Sequence, residues 1–107
     1  MKFDGGLKDL IKQAEKLKSD MDRIKNDAGE TVVEASSGGG MVTVTAKAKG
    51  EIISVKIDPS AVSPDDAEML EDLVCAAANE ALSRGRKIMK DEISKVTGGM
   101  GLPPGLL

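Results

Sequence analysis

Four of the nine residues in LSRGRKIMK, positions 82–90, carry positive charge and none carries negative charge, although the whole chain has a net charge of −3. Cations at helical spacing suit one kind of chemistry: holding phosphate oxygens. Lysine acts on phosphate as a point charge, whereas arginine forks onto planar acceptors such as guanine edges. The chain holds twelve lysines and three arginines. Contacts would therefore go to a nucleic-acid backbone, with weak sequence preference. A second basic row, Lys8, Lys12 and Lys16, repeats at i, i+4. Its like charges repel by roughly a few tenths of a kcal/mol per pair, and Asp9, Glu15 and Asp20 offset part of this. On the residues alone a charged helix face is first of all solvated surface; phosphate binding is the sharper alternative.

Other candidate chemistry is thinner. The chain has no histidine, which removes the commonest general base and metal ligand. Its single cysteine, Cys75, has no base at hand and reads as a small core residue. Ser36-Ser37-Gly38-Gly39-Gly40 resembles a phosphate-cradling loop only loosely: no Gly-Lys-Ser/Thr follows and a strand comes next, so a hairpin turn is expected. Asp65, Asp66 and Glu68 are explained by helix capping without a cation. No enzyme is expected, and no cofactor or metal. With no Trp or Tyr and only Phe3, the chain has little on which to stack bases, which argues against single-strand recognition.

The elements that position these residues follow from periodicity. Leu7, Leu10, Ala14, Leu17, Met21, Ile24 and Ala28 are spaced 3-4-3-4-3-4, an a/d seam that predicts a helix over 6–28 stopped by Gly29. Residues 30–58 switch to alternation and predict three strands in an antiparallel meander, with Ile53, Val55 and Ile57 of the third facing one way. One face is apolar and one mixed, so a helix should cover only the first. Ser63-Pro64-Asp65-Asp66 opens a second helix, predicted over 64–96 and ended by Gly98-Gly99. The remainder, 98–107, reads as a flexible tail.

That second helix, about 50 Å long, outruns any strand of six to eight residues, which spans roughly 20–27 Å. From Met69 to Leu82 it is apolar nearly all round, so its sheet-averted side needs a cover, and a second copy of the chain supplies one most simply. Met69, Leu73, Ala76 and Ala77 are the expected dimer interface. From Ala81 onward the apolar stripe narrows, and this half should overhang and pair with the first helix, whose backbone approaches at Gly85. Arg84, Arg86, Lys87, Lys90 and Lys95 then ride on a projecting arm, with Lys8 and Lys12 near Lys90 and Lys95. Six carboxylates and no cation lie between Asp58 and Asp72, so the body is acidic and the arm basic. At 107 residues the chain makes one domain, 1–107. No apolar run reaches the ~20 residues of a membrane span and no apolar signal core opens the chain, so a cytoplasmic location is expected.

Four stretches together resemble the YbaB/EbfC family of bacterial nucleoid-associated proteins: GGLKDLIKQAEKLKSDM, SGGGMVTVTAKAKGEIISVKIDPS, DDAEMLEDLVCAAANEAL and GGMGLPPGL. The resemblance implies an α+β chain of order α-β-β-β-α forming a tweezer-shaped homodimer. It implies binding of double-stranded DNA by protruding helices, with low or broad specificity, in nucleoid organisation or gene regulation. The binding role carries onto Lys8, Lys12, Lys16, Arg84, Arg86, Lys87, Lys90 and Lys95. The alternative is a protein-interaction module that acts with recombination or replication factors without touching DNA.

Overall fold

The computed structural model describes residues 2–99. Five long elements follow the chain: α1 (Lys2–Asp27), β1 (Val32–Ser37), β2 (Val42–Lys47), β3 (Glu51–Ile57) and α2 (Ala67–Gly99). The α+β class and the element order are those expected. Helix α1 gives way to a single 3-10 turn at Ala28–Glu30, in which Gly29 is buried.

The sheet is antiparallel in the order β1-β2-β3. Gly38, Gly39 and Gly40 make the first connection with φ of 61°, 66° and 97°. Residues with a Cβ rarely adopt such angles, so the glycine run is what lets the chain turn here. Ser36 and Thr43 share a hydroxyl–hydroxyl bond of 2.9 Å across the resulting pair of strands. In β3 the register departs from simple alternation. Thr45 pairs with Ser54 and Ala46 with Ile52, so Ile53 is the extra residue of a bulge. Val55 and Ile57, opposite Val44 and Val42, share the helix side with Ile52, opposite Ala46.

Asp58 accepts from the Ser60 amide at 2.9 Å and from its hydroxyl at 2.8 Å, which holds its carboxyl below the usual range. Ser63 accepts from the Asp65 amide at 3.3 Å, but Pro64–Asp66 form a separate 3-10 turn, and α2 starts at Ala67. The described part of α2 runs through Gly98 to Gly99, three residues past the expected end at 96. The rest of the expected tail lies outside the described residues.

The core is built from small residues. Ala35, Val42, Val44 and Ala46 of the sheet meet Ala77 and Ala81 of α2, with Val33, Leu70, Leu73, Val74, Ala78 and Leu82 around them. Alanines at the contact let the helix axis lie close to the strands. Ser37 ties the layers together by donating to the Leu73 carbonyl at 2.6 Å. Helix α2 lies over β1 and β2 and hardly reaches β3. Ile52, Val55 and Ile57 therefore stay exposed, Val55 at 43 %.

Candidate functional site

The basic segment begins where α2 leaves the sheet, and Gly85 marks that point. A Cβ on Gly85 would stand 2.9 Å from the Ala48 Cα and 3.1 Å from its carbonyl oxygen. The close approach expected at this glycine exists, but its partner is Ala48, the residue after β2, and not the first helix. Ala81, expected on the overhang, is fully buried in the core. The free part of α2 is thus Arg86–Gly99, about 21 Å at 1.5 Å per residue.

Helix α1 returns to the sheet beside the same point. Lys49 donates its amide to Gly29 at 3.0 Å and Ala48 donates to Thr31 at 2.8 Å. Glu30 pairs with Lys47 at 2.8 Å and with Lys49 at 2.9 Å, and Lys49 also reaches Glu51 at 3.6 Å. These hydrogen bonds, Lys47 first and Lys49 second, lower the Glu30 carboxyl from 4.5 to about 2. Glu30 in turn raises the Lys49 ammonium. The cluster clamps the base of α1 to the β2–β3 turn.

From this shared base α1 runs about 39 Å, well past the level of Gly99, the last described residue of α2. Exposure along its seam follows that difference. Ile24 is 6 % exposed and Met21 and Leu17 are half-buried, whereas Leu7 and Leu10 are 58 % and 64 % exposed. The molecule is 76 Å long, more than α2 alone can span. Lys8 and Lys12 therefore do not lie beside Lys90 and Lys95. Among the described residues α2 reaches about 21 Å from the base, whereas Lys12 and Lys8 lie about 23 and 29 Å from it.

The eight expected binding residues divide accordingly. Lys8, Lys12, Lys16, Arg86, Lys87 and Lys90 are exposed and make no ion pair among the described residues. Lys95 is exposed but pairs with Glu92 at 2.9 Å. Arg84 lies on the sheet side of Gly85, where it pairs with Glu80 at 3.2 Å and donates to the Glu34 carbonyl. Its guanidinium is committed to the body and is not on the arm; the i, i+4 spacing from Glu80 was the available signal. Sequence reasoning passed over Lys18 and Lys25, which are also exposed on α1.

The four expected interface residues also divide. Met69 and Ala76 are exposed and Leu73 is half-buried. Ala77 is fully buried against the chain's own sheet, because it falls on the core side of α2, so it has no surface left for a partner. Cys75, expected in the core, is exposed, and its Sγ accepts from Asn79 Nδ2 at 3.5 Å. The uncovered apolar face of β3 and the exposed Val62 were missed, because β-branched alternation reads equally well for a covered strand. Among the described residues no group of His, Cys, Asp or Glu is placed to hold a metal ion. No described helix is long and apolar enough to cross a membrane.

Residues 3–100 match the YbaB/EbfC DNA-binding family. A nucleoid-associated protein of Acetivibrio thermocellus is 49 % identical over 104 residues, covering 97 % of this chain and 92 % of its own length. One from Moorella thermoacetica is 44 % identical over 99 residues, covering 92 % of this chain and 95 % of its own. In fold the chain is similar to the crystal structure of an uncharacterized protein from Helicobacter pylori. That match has a TM-score of 0.65 at 24 % identity and covers 85 % of this chain and 91 % of the other.

Proposed function

The chain belongs to the YbaB/EbfC DNA-binding family, and from that premise we propose that it binds double-stranded DNA as a homodimer through the two helices that extend beyond its sheet. Binding is of low or broad sequence specificity and serves nucleoid organisation or gene regulation in the cytoplasm, at the nucleoid. The observation that carries this reading is the run of exposed cations on those extensions that make no ion pair among the described residues: Lys8, Lys12, Lys16, Arg86, Lys87 and Lys90. Lysines on a helix face meet phosphates without reading bases, so the register along the duplex is loosely defined. The homodimer is supported by apolar surface that one chain leaves uncovered: Ile52, Val55, Ile57, Val62 and Met69. An isolated domain has no physical reason to keep so much apolar area in water.

Binding of this kind releases counterions, so log K should fall with log salt at a slope of about −0.9 per phosphate neutralised. A gel-shift series on a duplex at rising salt measures that slope. Absence of a complex even at low salt would refute the proposal. The stripe Leu7, Leu10 and Ile11, exposed at the tip of α1, favours a second reading. There the arm grips a partner protein, and recombination factors are the class to try. Charge reversal at Arg86, Lys87 and Lys90 separates the two, because a grip on the apolar stripe survives it and a grip on phosphate weakens.

A further inference from the structure

The cations of the two helices point away from each other. At 100° per residue, Lys8, Lys12 and Lys16 centre about 170° from the α1 seam, and Arg86, Lys87 and Lys90 centre about 110° from the covered side of the α2 extension, Ile88, Met89, Ile93, Val96 and Thr97. The seams are the sides that meet: Ile24, Leu17 and Met21 of α1 and Ile88 and Met89 of α2 are buried or half-buried, while the six cations are exposed. The arm therefore has a basic face on each of two sides, the α1 face about 16–29 Å from the shared base and the α2 face within about 8 Å of it. Two packed helices are about 20 Å across, and the molecule measures 21 × 17 Å in its two short directions. A duplex lying against one side cannot wrap to the other without bending far more sharply than its stiffness allows over so short a length.

Resting on the DNA-binding reading above, we infer that each arm is a two-sided phosphate-binding surface that holds two separate duplexes at once, one on the α1 face and one on the α2 face. The protein then joins DNA segments instead of only coating one. Asp9 and Glu15 flank the α1 face and Asp91 the α2 face, so each face carries three cations against one or two exposed acids. On α1, Asp20 is engaged by Arg23 at 3.5 Å, and on α2, Glu92 is engaged by Lys95.

The test is a stoichiometry. A duplex of about one helical turn is titrated to saturation at low salt and complexes are sized by sedimentation. The proteins are wild type, the α1-face reversal K8E/K12E/K16E, the α2-face reversal R86E/K87E/K90E, and the six-site combination. Glutamine versions of each guard against misfolding by added charge. The expected result is two duplexes per protomer for wild type, half as many for either single-face variant, and none for the six-site protein. One duplex per wild-type protomer overturns the inference and leaves the DNA-binding reading standing. So does complete loss of binding from one single-face glutamine variant, since the cations would then form one surface. A wild type that binds no duplex overturns both.

Discussion

Replacing Gly85 by alanine probes the junction that aims the arm. Two effects oppose each other. Alanine gains about 1 kcal/mol of helix propensity over glycine. Its Cβ would also stand 2.9 Å from the Ala48 Cα, 3.1 Å from the carbonyl oxygen and 3.4 Å from the carbonyl carbon. These are backbone atoms, and Ala48 is held by its own bond to Thr31 at 2.8 Å, so no flexible side-chain end can give way. Overpacking of this kind costs about 1–3 kcal/mol. The packing cost wins, and Gly85→Ala should lose about 1 kcal/mol net, or roughly 4–8 °C in Tm for a domain of this size. Gly6→Ala is the control, because it lies in α1 with nothing within 4 Å of a Cβ. It should be neutral or slightly stabilising. Thermal and urea unfolding at one fixed protein concentration compares the three proteins. A Gly85→Ala protein as stable as wild type would refute the close contact with Ala48.

Three further predictions concern the base, the core and the open face. Glu30→Gln should lose stability at neutral pH. The folded-state carboxyl, at about 2, is below its ordinary 4.5, so its contribution is present above pH 4.5 and fades as pH falls toward 2. Wild type and variant should therefore converge in acid in urea-unfolding series from pH 7 to 2; a constant difference would show that Lys47 and Lys49 are not the cause. Val44→Ala removes two fully buried methyl groups and should cost about 2 kcal/mol in urea unfolding, with a smaller effect counting against a tight contact between α2 and the sheet. Val55→Asp places a charge on the uncovered face of β3; sedimentation should show a folded monomer, and a persisting dimer would locate the interface elsewhere.

Local rules carried the fold far. The 3-4 spacing of Leu7 to Ala28 and the alternation of Val42 to Lys47 depend on neighbours in sequence and lie within α1 and β2, while the capping set at Ser63 opens a 3-10 turn just ahead of α2. What stayed hidden depends on packing between distant elements. Ile52 and Ile53 read as simple alternation, and only the pairing with Thr45 and Ala46 shows a bulge there. Gly85 announced a close approach but not its partner, since Ala48 and α1 both end at the same corner. Arg84 looked like part of the basic run, and only the position of β1 shows that its guanidinium reaches the Glu34 carbonyl. Ala77 and Ala76 are adjacent in sequence, yet one is core and the other surface, because a 100° step crosses the edge of the contact with the sheet.

The acidic block from Asp58 to Asp72 raises the question of how a chain of net charge −3 approaches DNA, and distance answers it. Glu71 and Lys87 are sixteen residues apart on one continuous helix, or about 24 Å along its axis. At 0.1 M ionic strength the Debye length is about 10 Å, so the arm's cations act while the body's carboxylates are screened; at 0.01 M it is about 30 Å and both are felt. On the proposed reading, counterion release strengthens binding as salt falls, and repulsion from the body increasingly opposes it. The plot of log K against log salt should therefore be linear above about 50 mM and flatten below about 20 mM, where the Debye length passes the separation of block and arm. Neutralising Glu68, Glu71 and Asp72 to glutamine and asparagine should restore the straight line at low salt and leave the high-salt slope unchanged. If the triple variant instead changes the high-salt slope, the acidic block lies close to the bound phosphates, and DNA approaches the body of the protein and not the arm.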